Sequence, residues 1–214
     1  MIAWKSFFSS KTRSILFSIL AISCLSLVFV FTRFMEWNET RSGMLFNDPI
    51  LKLFNPIDLS TVISMFTLVP IFLGLIYIFR KPTTTVYFFI AAIVICCFRA
   101  LTLYLLPLEP PVDIIPLTDP VIETLFYGGH VLLKDLFFSG HTANLILIGL
   151  IVEQRRIKNL LFISGFLVGS MVMIQHVHYS IDVLAAPFFS FVTYRISIWV
   201  GNGLFIKDFS IEKA

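Results

Sequence analysis

"DLFFSGHTANLILIGLIV", Asp135 to Val152, is the stretch whose reading decides the architecture. It is apolar enough to cross a bilayer, yet it opens on a Ser-Gly-His-Thr cluster. Ionisable groups at membrane depth are costly and mark working sites. The surrounding sequence decides whether His141 is such a group.

The chain has 214 residues, 57% hydrophobic and 14% charged, with a mean hydropathy of +0.91. A water-soluble domain of this size could not hide so much apolar surface, so the solvent is lipid. The 24 phenylalanines suit lipid-facing helix surfaces. The net charge of +3 comes from short basic clusters between apolar runs. That pattern sets membrane orientation, whereas nucleic-acid binding wants a basic stripe facing water, so no nucleic-acid partner is expected. Cys24, Cys96 and Cys97 all lie inside apolar runs without metal-ligand spacing and read as packing residues.

Apolar segments long enough to span hydrocarbon occur at 14–32, 59–79, 84–106, 136–153, 159–176 and 178–200. The expected fold is therefore all-α: a polytopic integral membrane protein, a six-transmembrane-helix bundle with residues 1–214 as one catalytic domain. Lys5, Lys11 and Arg13 precede the first run, but "TRFMEW" follows it where a cleavage site would need small residues. An uncleaved first span is expected. Pro70 and Pro187 lie within apolar runs and are expected to kink them.

Two connections are long. Residues 33–58 form a polar loop whose "DPILKLF" could lie as a short helix at the interface. Residues 107–134 carry five prolines, which forbid a continuous helix and suggest a shaped cap over one membrane face. With the N-terminus cytoplasmic, ten Lys and Arg fall inside and four outside. Both termini are then cytoplasmic and the two long loops face outward. His130, His141, His176 and His178 all fall on or near that outer face. Spans four and six run in the same direction whichever way the bundle is inserted, so their N-terminal ends share one side.

The second cluster is "QHVHYSIDVLAAP", Gln175 to Pro187. His178 and Asp182 are four apart, on one helix face. A carboxylate there can accept the Nδ1 proton, fix the tautomer, and leave Nε2 as a nucleophile or base. His141 lies at matching depth. Two imidazoles, one oriented by a carboxylate, suffice to split a phosphate ester: one nitrogen attacks phosphorus and the other protonates the leaving oxygen. Both helix N-termini favour an anion. Ser139 and Thr142 add hydroxyl donors, and Gly140 lets the backbone approach a ligand. Arg99 and Lys134 are candidate phosphate partners. Asp135, with Tyr127 or Tyr179, is a candidate holder of a cationic amine head group. A lone histidine is more often a hydrogen-bonded structural residue, and Arg99 could instead snorkel to the headgroups. His178 and Asp182 with His176 or His141 could also ligate a metal, but that set is sparse without thiolates. No metal and no other cofactor is expected.

These residues resemble the sphingomyelin synthase-like branch of the type 2 phosphatidic acid phosphatase (PAP2) superfamily. The resemblance rests on "FRALTLYLLPLEPP" at 98–111, "DLFFSGHT" at 135–142 and "HYSIDV" at 178–183. It implies that His178 is the nucleophile, Asp182 its orienting partner, and His141 the acid/base for the leaving and entering oxygens. The sequence departs from that branch before Asp135, where "LK" replaces a usual Cys-Gly. It departs further from the phosphatase branch: "GSMVMIQHVH" at 169–178 lacks the arginine that clamps phosphate there.

The expected activity is lipid head-group phosphotransfer. A phospholipid donor and a lipid-alcohol acceptor, of the ceramide or diacylglycerol type, would meet within the bilayer through a phosphohistidine intermediate. The alternative is a PAP2-type lipid phosphate phosphatase, in which water resolves the same intermediate. A transporter or scaffold would spread paired charges near the midplane, whereas here the titratable cluster sits at one face. A homo-oligomer is compatible with the sequence.

Overall fold

The computed structural model describes residues 4–118 and 131–206. Its helices are α1 (Trp4–Phe7), α2 (Lys11–Glu39), α3 (Ser60–Ile78), α4 (Pro82–Leu105), α5 (Gly140–Ile151), α6 (Arg155–Ile174) and α7 (Ser180–Gly201). A short 3-10 turn at Leu51–Leu53 interrupts the α2–α3 loop, and a π-helical turn follows α7. No strand occurs among the described residues; one isolated bridge joins Met44 to Leu108.

Among the described residues, which are helical with no strand, five helices are long and apolar enough to cross a membrane, which fits an integral membrane protein. The sixth expected span, 136–153, is the exception. Its helix is α5, with 12 residues, or about 18 Å against a hydrocarbon core of about 30 Å. Residues 136–139 leave the helix because their backbone is engaged elsewhere. Phe137 O accepts from Thr102 Oγ1 (3.0 Å), Phe138 O from Arg99 Nη1 (2.9 Å), and Ser139 N–H donates to Asp182 O (3.1 Å). Non-helical backbone at such depth is tolerated where protein encloses it.

That enclosure is nearly complete. α5 packs against α3, α4, α6 and α7. Its Ala143, Leu145, Leu147, Ile148 and Ile151 belong to the main core with Ile63, Ala91, Val168 and Ala186. α2 packs on α4 at the edge of the bundle, and its apolar window is not buried by protein at all.

Close contacts fix the register. The Cα of Gly149 faces Leu161 and Phe162, that of Gly165 faces Leu145 and Ile146, and that of Gly169 faces Thr142 and Val183. α5 and α6 are thus antiparallel, and α6 overhangs α5 at both ends by roughly one turn, about 5 Å. α7 runs parallel to α5, since Asp182 meets Ser139 and Ser190 Oγ donates to Ala143 O (2.9 Å).

The 33–58 loop starts later than expected. α2 continues through Glu39, helped by the Arg33–Glu36 ion pair one turn apart (2.9 Å). "DPILKLF" supplies the single 3-10 turn. Pro70 and Pro187 sit inside helices that run on past them. The described part of the 107–134 loop is not a continuous helix and is tied to neighbouring segments. Met44 and residues 107–109 exchange backbone hydrogen bonds (2.9 and 3.0 Å), and Glu39 accepts from Leu133 and Lys134 N–H. Gln175, fully buried, ties three segments together: its Oε1 accepts from Leu59 N–H (2.8 Å), and its Nε2 donates to Ser60 Oγ (2.9 Å) and Ile115 O (3.1 Å). At the opposite end Trp4 Nε1 donates to Phe79 O (3.2 Å) and Lys81 pairs with Glu153.

Candidate active site

α7 begins where the "HYSID" segment can cap itself. Asp182 occupies the third helical position, and its Oδ2 accepts the Tyr179 backbone N–H at 3.0 Å. A carboxylate there satisfies a helix-end donor and complements the positive helix end. The same oxygen lies 3.3 Å from His178 Nδ1. One side chain therefore caps the helix and orients the imidazole. His178 is 3% exposed and Asp182 wholly buried. Asp182 Oδ1 has no hydrogen-bond partner among the described residues.

Ser139 N–H, donating to Asp182 O, docks the start of α5 onto the first turn of α7. His141 is the second residue of α5 and half-buried. Ser139 Oγ and Thr142 Oγ1 lie 3.2 Å apart, both buried. The "SGHT" and "HYSID" clusters thus open two parallel helices whose first turns touch. Gly140 has a steric reason: the Arg99 guanidinium packs where a side chain would stand, with Cζ 2.9 Å and Nη2 3.3 Å from an ideal Cβ.

The remaining expected binding residues do other work in this structure. Arg99 and Asp135, assigned separately to phosphate and to an amine, form an ion pair with each other, and Arg99 also holds Phe138 O. Lys134 Nζ bonds Arg41 O (2.6 Å) and Glu109 Oε1 (3.0 Å), a strut between loops. Tyr179 OH donates to Glu109 O (2.9 Å), and its ring packs edge-on against Phe46. Tyr127 and His130 lie outside the described residues.

Sequence reasoning missed Asp48. Its Oδ2 accepts from Ser180 N–H (2.6 Å), the first residue of α7, and its Oδ1 from Ile50 N–H (2.9 Å). Burial opposes its charge, but these bonds outweigh burial and hold its pKa below the ordinary aspartate value. The sequence signal for it is the "DP" turn at Asp48–Pro49, an Asx-turn sequence. Glu109 is also held low, chiefly by the Gly43 N–H bond and then by Lys134.

Residues 134–199 match the family model described as PAP2 superfamily C-terminal. The match spans both histidine clusters, so this part of the chain is similar to the PAP2 superfamily C-terminal domain. No curated protein and no solved structure matches the chain.

Proposed function

We propose that this protein moves a phosphoryl head group from a phospholipid to a lipid alcohol of the ceramide or diacylglycerol type, as in the sphingomyelin synthase-like branch. The observation that carries the reading is the buried His178–Asp182 pair, docked through Ser139 onto the turn that bears His141. Asp182 holds the Nδ1 proton of His178, so Nε2 carries the lone pair that attacks phosphorus. His141 protonates the departing diacylglycerol oxygen. The head group then rests on His178 as a phosphohistidine. His141, now neutral, takes the proton of the acceptor hydroxyl, which attacks phosphorus and frees His178. The first turns of α5 and α7 supply N–H donors and hydroxyls for the phosphate oxygens. Arg99, tied to Asp135, sets the start of α5 and adds positive field. Both lipids keep their tails in hydrocarbon throughout. The site faces the outer side and both termini are cytoplasmic.

Hydrolysis is the second reading, and the family match favours it equally. Transfer is preferred because His178 is shielded from water and because "GSMVMIQHVH" lacks the phosphatase arginine. The test is purified protein in liposomes with head-group-labelled phospholipid, with and without ceramide or diacylglycerol. Label in a new lipid is the expected outcome, and label released to water replaces transfer by hydrolysis. No turnover across a broad donor panel ends the enzymatic reading. His178→Ala and His141→Ala should each abolish turnover while the protein still inserts and folds.

A further inference from the structure

α5 is walled by four helices, and its contacts fix what each of its residues faces. Thr142, Leu145, Ile146 and Gly149 meet α6, and Ala143 O accepts from Ser190 of α7. Ile148 packs against Gly74 of α3, and Gly140 against Arg99 of α4. Asn144 stands one turn from Gly140 and one turn from Ile148, so it looks out between α4 and α3. Those two helices meet at the end away from His141. There the Thr84 and Thr85 hydroxyls donate to Ile78 O (2.6 and 3.1 Å), and the Phe79 and Phe88 rings lie 5.7 Å apart. They pack on each other very little. Asn144 is accordingly exposed, whereas every other residue of α5 is buried or half-buried.

A carboxamide exposed at this position needs a reason. α6 has 20 residues, a length of about 30 Å that matches a hydrocarbon core. Asn144 lies about 6 Å below the start of α5, which is itself sunk about 5 Å. Polar side chains at such depth are costly and mark functional positions. Nδ2 donates to Gly140 O at 3.0 Å, which fixes the orientation of the amide, since a carbonyl only accepts. The second N–H and Oδ1 make no hydrogen bond among the described residues. Below the phosphate, the polar groups that a lipid brings to this depth are its linkages, and an ester carbonyl needs a donor.

The spacing fits one linkage. His141 is three residues before Asn144, on the same face and about 4.5 Å nearer the start of the helix. In a glycerolipid the sn-2 carbonyl carbon is four bonds from the sn-3 oxygen, roughly 4–5 Å at ordinary bond lengths, and lies on its tail side. A ceramide carries its amide carbonyl the same four bonds from its primary hydroxyl oxygen. We propose that Asn144 is a substrate-binding residue whose second N–H donates to the sn-2 ester carbonyl of a glycerolipid, or to the amide carbonyl of a ceramide, and so sets the reacting oxygen beside His141. The inference rests on the proposed phosphotransfer for the role of His141. The carbonyl is the same before and after reaction, so the bond supplies binding and leaves the barrier alone.

Binding is measured apart from turnover, with probes that need no head group. Detergent-solubilised protein is titrated with dioctanoylglycerol, with its dioctyl diether, and with the two isomers that keep a single ester. Lipids with an ester at sn-2 should bind roughly five- to tenfold tighter than those with an ether there, the worth of one hydrogen bond. Asn144→Leu, close in size and at ease in lipid, should erase that preference by weakening the sn-2 esters alone, with the protein still monodisperse. In turnover the same variant should raise KM by a similar factor and keep kcat within about twofold. Equal binding of diester and diether, or a preference that survives Asn144→Leu, overturns the proposal. Selectivity for the sn-2 ester in a protein that neither transfers nor hydrolyses a phospholipid head group would keep the binding residue and end the reaction proposed above.

Discussion

Gly140→Ala tests the physical arrangement at the start of α5. An ideal Cβ there would lie 2.9 Å from Arg99 Cζ and 3.3 Å from Nη2, well inside contact distance. The far end of an arginine ordinarily moves at little cost. This one does not, because Nη1 bonds Phe138 O at 2.9 Å and Nη2 pairs with Asp135, with the residue 5% exposed. Making room for a methyl group therefore means giving up buried, charge-assisted bonds or shifting the α5 start off Asp182. Breaking a buried pair costs about 3–5 kcal/mol and a charged hydrogen bond about 1.5–3 kcal/mol; partial relaxation puts the expected loss at about 2–4 kcal/mol. For water-soluble chains of this size roughly 2–4 °C of melting temperature accompany each kcal/mol. Thermal unfolding in detergent, followed by size-exclusion of the surviving monodisperse protein, should show a drop of several degrees. Turnover should fall with it, because Ser139 loses its seat on Asp182. The decisive control is Arg99→Met. In that background the methyl group meets a movable apolar chain, and adding Gly140→Ala should cost little more. A Gly140→Ala protein as stable and active as its parent, or an unchanged penalty in the Arg99→Met background, would refute the account.

Three further outcomes are expected. Asp182→Asn keeps an oxygen for the Tyr179 amide but loses the charge that fixes the His178 tautomer. Single-turnover rates should fall by roughly 10⁴, by analogy with an Asp-oriented histidine elsewhere, while helical circular dichroism stays level; a loss below tenfold would free Asp182 of that role. Asp48 and Glu109 titrate lower in the folded protein than in the unfolded chain. Their contribution is fully present above the unfolded values, about 4, and fades as pH falls through the lower folded ones. Hydrogen exchange at the Ser180 and Gly43 amides should therefore quicken relative to the bundle only below about pH 4, and loosening already at pH 6 would contradict this. Gly43→Ala places a Cβ 2.6 Å from Leu108 C and 2.8 Å from Glu109 N, both backbone. Such overpacking costs about 1–3 kcal/mol and should show as faster protease cutting at Arg41 and Lys52, with an unchanged cleavage pattern counting against it.

Much of the bundle was legible because hydropathy reports apolar length directly. It failed at α5 for a definite reason. Apolarity is the same whether a side chain meets lipid or protein, and Leu145, Leu147 and Ile148 meet protein. The 136–153 run therefore read as a full span although it holds a 12-residue helix. The spacing of His178 and Asp182 was legible because helical periodicity alone puts them on one face, and the structure sets them 3.3 Å apart. The partner of Arg99 was not. Sequence offers Arg99 any anion within reach, and the choice of Asp135 depends on where residues 135–139 leave the helix. Asp48 was invisible for the same reason: 132 residues separate it from the amide it caps.

The short α5 also bears on how a lipid phosphate reaches this site. α6 overhangs the start of α5 by about one turn, as the Gly169–Thr142 contact requires. The "SGHT" turn is therefore sunk about 5 Å below the end of its neighbour. A helix of full span length would lift its first turn to the level of its neighbours, among the headgroups and in water. A recessed turn sits nearer the boundary where a phospholipid's phosphate meets its glycerol and tails. Under the proposed reaction the ester oxygen to be cleaved would come level with the imidazoles while the tails stay in hydrocarbon, and the loops that Asp48, Glu109 and Gln175 tie together border the same end of the bundle. Such depth would help keep water off, the condition under which a second lipid's hydroxyl could compete for the phosphohistidine of the proposed reaction.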